Sequence, residues 1–109
     1  MEIEEARRGT SLVVTPIGRL DSGSAPDFEA RLGEAIDGGA HDVVVDLSRL
    51  DYISSKGLSA LLAAGKRMKR AEGRMVLAAA SGAVRQVILI SGFDRVFDLC
   101  ETVDAALGG

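Results

Sequence analysis

The succession of apolar segments predicts an α/β fold: one mixed β-sheet with an N-terminal hairpin, parallel strand–helix–strand crossovers and about four helices. Three observations carry this expectation. The run Asp42 to Leu47 holds three consecutive valines and a leucine, the unbroken apolar pattern of a strand covered on both faces. After it, Leu58, Leu61, Leu62, Gly65 and Met68 recur at helical spacing, which predicts a helix from Lys56 to Ala71. Gly73 then turns the chain into another apolar run, Arg74 to Ala80, and strands joined through single helices run parallel with right-handed connections.

The remaining elements follow in chain order. Ile3 to Arg7 and Thr10 to Gly18 are extended runs around Arg8 and Gly9, which predicts a β-hairpin and makes the sheet mixed. Within the second run Leu12, Val13, Val14 and Ile17 suit a strand, while Pro16 fits an edge position better than a central one. Ser24, Ala25, Pro26 and Asp27 resemble a capping box, with a serine cap, a proline in the first turn and a carboxylate three residues on. The helix they open would bury Phe28, Leu32, Ala35 and Ile36 and stop at Gly38 and Gly39. Ser81 is placed to cap a short helix with Val84, Val87 and Ile88 inward, closed by Gly92. A strand at Val96 to Leu99 and a last turn or helix at Thr102 to Leu107 complete the order. No internal repeat, linker or low-complexity segment interrupts it, so residues 1–109 are expected to form a single domain.

Composition narrows the class of function. With 47 % hydrophobic and 27 % charged residues the chain suits a small globular module. A net charge of −3 supplies no large basic field, so nucleic acid is not the expected direct partner. Cys100 is the one cysteine, which excludes an internal disulfide. With no signal peptide and no apolar run long enough to cross a bilayer, this points to a cytoplasmic protein with no membrane span.

The informative stretch is Asp46 to Leu62, DLSRLDYISSKGLSALL, in which a strand ends, a polar loop follows and two serines precede the long helix. Ser54 and Ser55 stand where a hydroxyl can accept a hydrogen bond from an unpaired N–H of the first turn. On spacing alone, either is a helix cap. Two adjacent hydroxyls, Lys56 and Gly57 also stand where a parallel strand gives way to a helix, an edge that ligands and partners of open α/β sheets use.

These residues resemble the signature of STAS domains of the anti-sigma factor antagonist type, roughly D-L-S-x-x-x-[FY]-[IM]-[DS]-S-x-G-L followed by an apolar helix. Asp46, Leu47, Ser48, Tyr52, Ile53, Ser55, Gly57 and Leu58 match it. GRLDSGSAPDFEARL resembles the family's first-helix block and SGAVRQVILISGFDRVF its third-helix block, so three matches occur in order over nearly the whole chain. Ser54 stands where many members carry Asp, and Lys56 where many carry Ser or Thr.

The resemblance implies a binding protein rather than an enzyme: an anti-sigma factor antagonist that captures an anti-sigma factor, itself a serine kinase, and so frees a sigma factor. Ser55 would take the phosphorylated position, with Ser54 as the alternative acceptor, and a metal-dependent serine phosphatase would restore binding. The implied contact surface comprises Asp51, Tyr52, Ser54, Ser55, Lys56, Gly57 and Leu58, with Asp21, Ser22, Gly23 and Ser24 alongside. Two other readings are a STAS scaffold subunit of a sensing or lipid-transport assembly that is not phosphorylated, and a small-molecule or nucleotide-binding domain.

No other residue set assembles a reaction centre. His41 lies in a loop at a strand entrance without a Ser-His-Asp or Cys-His constellation, and Cys100 has neither a second thiol nor a nearby base in the sequence. Asp21, Asp46, Asp51 and Asp94 lack the spacing of a calcium loop, and no G-x-x-x-x-G-K-[ST] is present. No metal and no cofactor is therefore expected. Lys66, Arg67, Lys69 and Arg70 form a basic cluster that reads as a solvated face favoured by the helix C-terminus.

Overall fold

The computed structural model describes residues 1–108, in which β1 (Glu2–Arg8), β2 (Ser11–Leu20), α1 (Ala25–Asp37), β3 (Asp42–Asp46), β4 (Leu50–Ile53), α2 (Ser55–Arg70), β5 (Arg74–Ala78), α3 (Gly82–Ile90), β6 (Asp98–Cys100) and α4 (Val103–Ala106) follow one another. The sheet runs β1-β2-β3-β5-β6, with β4 paired to β2 outside that path. Among the described residues only the β1–β2 hairpin is antiparallel; β3 and β4 on β2, β5 on β3 and β6 on β5 are all parallel. The mixed sheet predicted from the sequence is therefore present.

Strand alternation divides the core between the two faces. Leu12, Val14, Val43, Val45, Met75 and Leu77 pack under the three longer helices, against Phe28 and Leu32 of α1, Leu61 and Met68 of α2, and Val84 and Ile88 of α3. Their neighbours Val13, Val44, Val76 and Ala78 point the other way, under Ala106 of α4 with Val103 and Leu107 beside it. A valine run thus serves both layers, as a strand buried on both faces requires.

Several expectations are corrected. Pro16 is buried in a strand that has neighbours on both sides, not at the sheet edge. It is tolerated on the parallel side because the pairs with β3 end at Val14 and those with β4 begin at Gly18, so Pro16, which lies opposite Ile3 of β1, falls in the gap between them, where a missing N–H breaks no parallel pair. Ser24 is the residue before α1, but its hydroxyl makes no cap bond; its backbone is already helical at φ −103° and ψ −19°. Ser81 likewise precedes α3 without a side-chain cap, whereas Thr102 caps α4 by accepting the Ala105 N–H at 3.0 Å. The last strand begins at Asp98 rather than Val96, because Phe93–Arg95 turn as a 3-10 helix, and β5 ends at Ala78. The largest departure is β4. The polar loop expected after Asp46 shrinks to a turn, held by the Ser48 N–H on Asp46 Oδ1 at 3.0 Å, and Leu50–Ile53 then extends the sheet alongside the end of β2. No helix among the described residues is long and apolar enough to cross a membrane.

Candidate functional site

The end of β2 and the start of α2 meet through β4. Gly18 pairs with Leu50, but Arg19 pairs with Tyr52, so β4 carries one extra residue, Asp51. Such a bulge re-aims the side chains that follow it. Here it turns Asp51 and Tyr52 to solvent while Leu50 and Ile53 stay buried. Arg19 then lies over the Tyr52 ring, its guanidinium carbon 4.2 Å from the ring centroid, in a cation–π contact at the surface.

The last β4 contact starts the helix. The Ser54 N–H donates to the Leu20 carbonyl at 2.9 Å, which closes the ladder and fixes Ser54 in extended geometry, φ −97° and ψ 175°. From there Ser54 Oγ accepts the Gly57 N–H at 3.2 Å, so Ser54 is the N-cap. Ser55 becomes the first helical residue, one earlier than the Lys56 start expected from periodicity, and is exposed. The adjacent hydroxyls thus have different duties: one holds the helix, the other faces solvent. The N–H groups at the head of α2 have no intrahelical partner, and they give the helix end a partial positive charge beside the Ser55 hydroxyl.

Gly57 explains how tightly this corner is built. A Cβ there would lie 2.6 Å from the Leu20 carbonyl oxygen and 2.8 Å from Ile53 Cγ1, so the first turn of α2 rests directly on the ends of β2 and β4. Gly57 is buried and contributes by the atom it lacks. Leu58 is half-buried and packs against the core, while Lys56 is exposed.

The loop before α1 forms the second side of the surface. Asp21 Oδ1 accepts the N–H groups of Gly23 at 3.0 Å and Ser24 at 3.2 Å, and Arg19 Nε lies 3.8 Å from Asp21 Oδ2. Chiefly the Ser24 N–H, with Gly23, the Ser24 hydroxyl and Arg19 each adding less, holds the Asp21 carboxyl below the usual carboxylate range against an opposing desolvation that ranks second to the Ser24 N–H. Ser24 Oγ donates to the Arg19 carbonyl at 2.6 Å and accepts the Asp21 N–H at 3.0 Å. Its hydroxyl ties the loop back to β2 instead of capping α1.

Between the two helix starts an open groove of about 530 Å³ is lined by Ser22, Ala25, Pro26 and Glu29 on one side and by Lys56, Ser59 and Arg67 on the other. The structure therefore brings the Asp21–Ser24 loop and the Tyr52–Leu58 segment onto one surface. It adds Arg19, Glu29 and Ser59, which sequence reasoning did not select. Arg19 could have been found only from the register that pairs it with Tyr52. Glu29 and Ser59 emerge from the packing of α1 on α2.

The other polar residues are occupied locally or scattered. Asp46 Oδ2 accepts from the Thr15 hydroxyl at 3.4 Å in addition to its turn bond, and no three His, Cys, Asp or Glu side chains converge among the described residues. Arg67 leaves the basic cluster, pairing with Asp37 of α1 at 2.6 Å.

Comparison with known proteins places this geometry among relatives. The STAS domain family model matches residues 2–106. BtrV of Bordetella bronchiseptica, named as a candidate anti-sigma factor antagonist, is 40 % identical over 89 residues, covering 82 % of this chain and 77 % of that protein. The anti-sigma-F factor antagonist RsfB of Mycobacterium tuberculosis is 30 % identical over 92 residues, covering 84 % of this chain and 75 % of its own. The crystal structure of an anti-sigma factor antagonist from Mycobacterium paratuberculosis superimposes with a TM-score of 0.90 at 28 % identity, over 98 % of this chain and 91 % of that one.

Proposed function

Because the chain belongs to the STAS domain family, we propose that it is an anti-sigma factor antagonist, switched off by phosphorylation of Ser55. It binds an anti-sigma factor through the surface formed by Asp21–Ser24, Asp51, Tyr52 and Ser54–Leu58, and so releases the sigma factor. The names of the two curated relatives support the partner class. The observation that carries the switch is the division of labour at α2: Ser54 caps the helix and Ser55 is exposed beside it.

The physical consequence follows from that position. A phosphate adds about −1.5 to −2 charges and three acceptor oxygens, and at a helix N-terminus these meet free N–H groups and a favourable dipole. Lys56 adds a cation next in sequence. Phosphorylation therefore leaves the fold intact, because the capping bond belongs to the neighbouring serine. Its effect falls on the partner, which would have to desolvate a doubly charged group in the middle of its contact surface. Kinase activity of the anti-sigma factor and a metal-dependent serine phosphatase that restores binding complete the cycle.

Titration of the purified anti-sigma factor from the source cell against wild type, Ser55→Ala and Ser55→Asp tests this reading. Wild type and Ser55→Ala should bind alike, and Ser55→Asp should bind at least about tenfold more weakly, a difference of about 1.4 kcal/mol. Equal binding by Ser55→Asp and Ser55→Ala would remove the switch and leave a constitutive binding subunit.

A further inference from the structure

The sheet path ends at β1, seven residues long, on one side and at β6, three residues long, on the other, and among the described residues β1 pairs with β2 alone. A long free edge is a template for another strand unless something blunts it. The β1–β2 register is uniform over its whole length, so no bulge twists this edge away, and EIEEARR holds neither proline nor lysine. Arg8 pairs with Ser11 across the two-residue turn at Gly9 and Thr10, so Arg8, Ala6 and Glu4 direct their backbone N–H and C=O groups to β2. Those of Ile3, Glu5 and Arg7 point outward, and Pro16, with no N–H to give, accordingly lies opposite Ile3.

What the edge carries is charge, and the charge is sorted by sign. Glu2, Glu4 and Glu5 occupy its first part, Arg7 and Arg8 its end. A second β1 laid parallel would set like against like, whereas one laid antiparallel sets acid against base. Two identical strands pair antiparallel about a two-fold axis normal to the sheet, which keeps each face on its own side, so opposed residues must share a face. With the axis at Ala6, Glu5 faces the partner's Arg7 and Glu4 faces the partner's Arg8, each pair occurring twice. Moving the axis to Glu4, Glu5 or Arg7 would set that charge against its own copy. The faces agree with the contacts within the chain: Glu5 lies 3.1 Å from Arg31 of α1, while Arg8 on the other face lies 3.6 Å from Asp104 of α4 and Glu4 3.0 Å from Arg49. Such surface pairs are weak, and a carboxylate can accept from a second guanidinium. Arg7 has no ion-pair partner among the described residues.

We propose that β1 is a self-association edge: a second copy of this chain pairs antiparallel with it, Ala6 opposite the partner's Ala6, and the two sheets become one across the two-fold axis. The outward N–H and C=O groups of Glu5 and Arg7 supply the backbone hydrogen bonds, and the sorted charges set direction and register. An edge contact this short makes a weak, reversible dimer. No residue of the surface assigned to the anti-sigma factor lies on β1, so the dimer does not depend on the phosphorylation reading.

Sedimentation equilibrium of the full chain should show a reversible monomer–dimer equilibrium with a dissociation constant below about 1 mM. Arg7→Glu should raise that constant at least about tenfold, and Glu5→Arg combined with Arg7→Glu should restore it, a reversal that damage to the fold would not produce. Register is read by cross-linking in a Cys100→Ser background. Ala6→Cys should form an inter-chain disulfide under mild oxidation, because residues opposed in a pair without hydrogen bonds lie about 4.5 Å apart at Cα. Glu4→Cys should not, since a four-residue offset puts it roughly 13 Å from its own copy. A monomer at every concentration up to about 1 mM, association unaltered by Arg7→Glu, or equal cross-linking at the two positions would overturn the proposal.

Discussion

Three helices in this protein begin after a serine, and those before α1 and α2 do different work. Ser24 precedes α1 with proline in the first turn and a carboxylate three residues on, yet its hydroxyl points back to the Arg19 carbonyl and leaves α1 without a side-chain cap. Ser54 precedes α2 with neither feature, and it caps the Gly57 N–H. The difference lies in how the chain arrives. Ser54 comes from an extended strand whose ladder ends on the Leu20 carbonyl, so its side chain is aimed at the first turn. Ser24 comes from a tight turn already organised by Asp21, and its own backbone is helical before α1 starts. A cap is thus a property of the approach geometry as much as of residue type. At α2 that geometry gives the cap bond to Ser54 and leaves the Ser55 hydroxyl without a capping role.

Substitutions separate the two corners, and the largest effect should come from Gly57→Ala. Its new methyl meets the Leu20 carbonyl and Ile53, and it should cost about 2 kcal/mol in urea unfolding, the usual range for overpacking a filled site. Ser54→Ala should cost about 1 kcal/mol, whereas Ser55→Ala should change stability by less than about 0.5 kcal/mol. If Ser55→Ala proved the more damaging, the assignment of the cap would be wrong. Asparagine sharpens the contrast, because it is as good a cap as serine: Ser54→Asn should retain most of the stability, while Ser24→Asn should lose the tie to Arg19 and gain nothing in return.

Acid titration supplies the smallest of these effects. The Asp21 carboxyl is held below its ordinary range in the folded protein, so its contribution is present above the unfolded-state value and is lost as pH falls through the folded value. Asp21→Asn should therefore flatten the loss of stability in the acid limb and change its slope little near neutrality. Steepening of the acid limb instead would show that Asp21 is not stabilised as its N–H donors indicate.

Much of the fold was legible in the sequence because burial and periodicity coincide there. The Val43–Val45 run is buried on both faces, and the helical spacing of Leu58, Leu61 and Met68 turns that side of α2 to the core. What could not be read depends on register. Leu50–Ile53 shows neither strict alternation nor an unbroken apolar run, because the bulge at Asp51 shifts the pleat, and so its sequence reads as loop. Pro16 argued for an edge, since nothing in the local sequence shows that β2 changes parallel partner around it. The candidate surface was legible only through the resemblance of Asp46–Leu58 to a family pattern. Local spacing left Ser54 and Ser55 equivalent as caps, and the hydrogen bond from Gly57 distinguishes them.

The most direct test of that distinction is mass analysis of the full chain after incubation with source-cell lysate and ATP, with Ser54→Ala and Ser55→Ala run in parallel beside a control substrate the lysate phosphorylates. The division of labour at α2 predicts one phosphate on wild type and on Ser54→Ala, mapped to Ser55, and none on Ser55→Ala. A phosphate retained by Ser55→Ala and lost from Ser54→Ala, or no phosphate on any of the three, would contradict it.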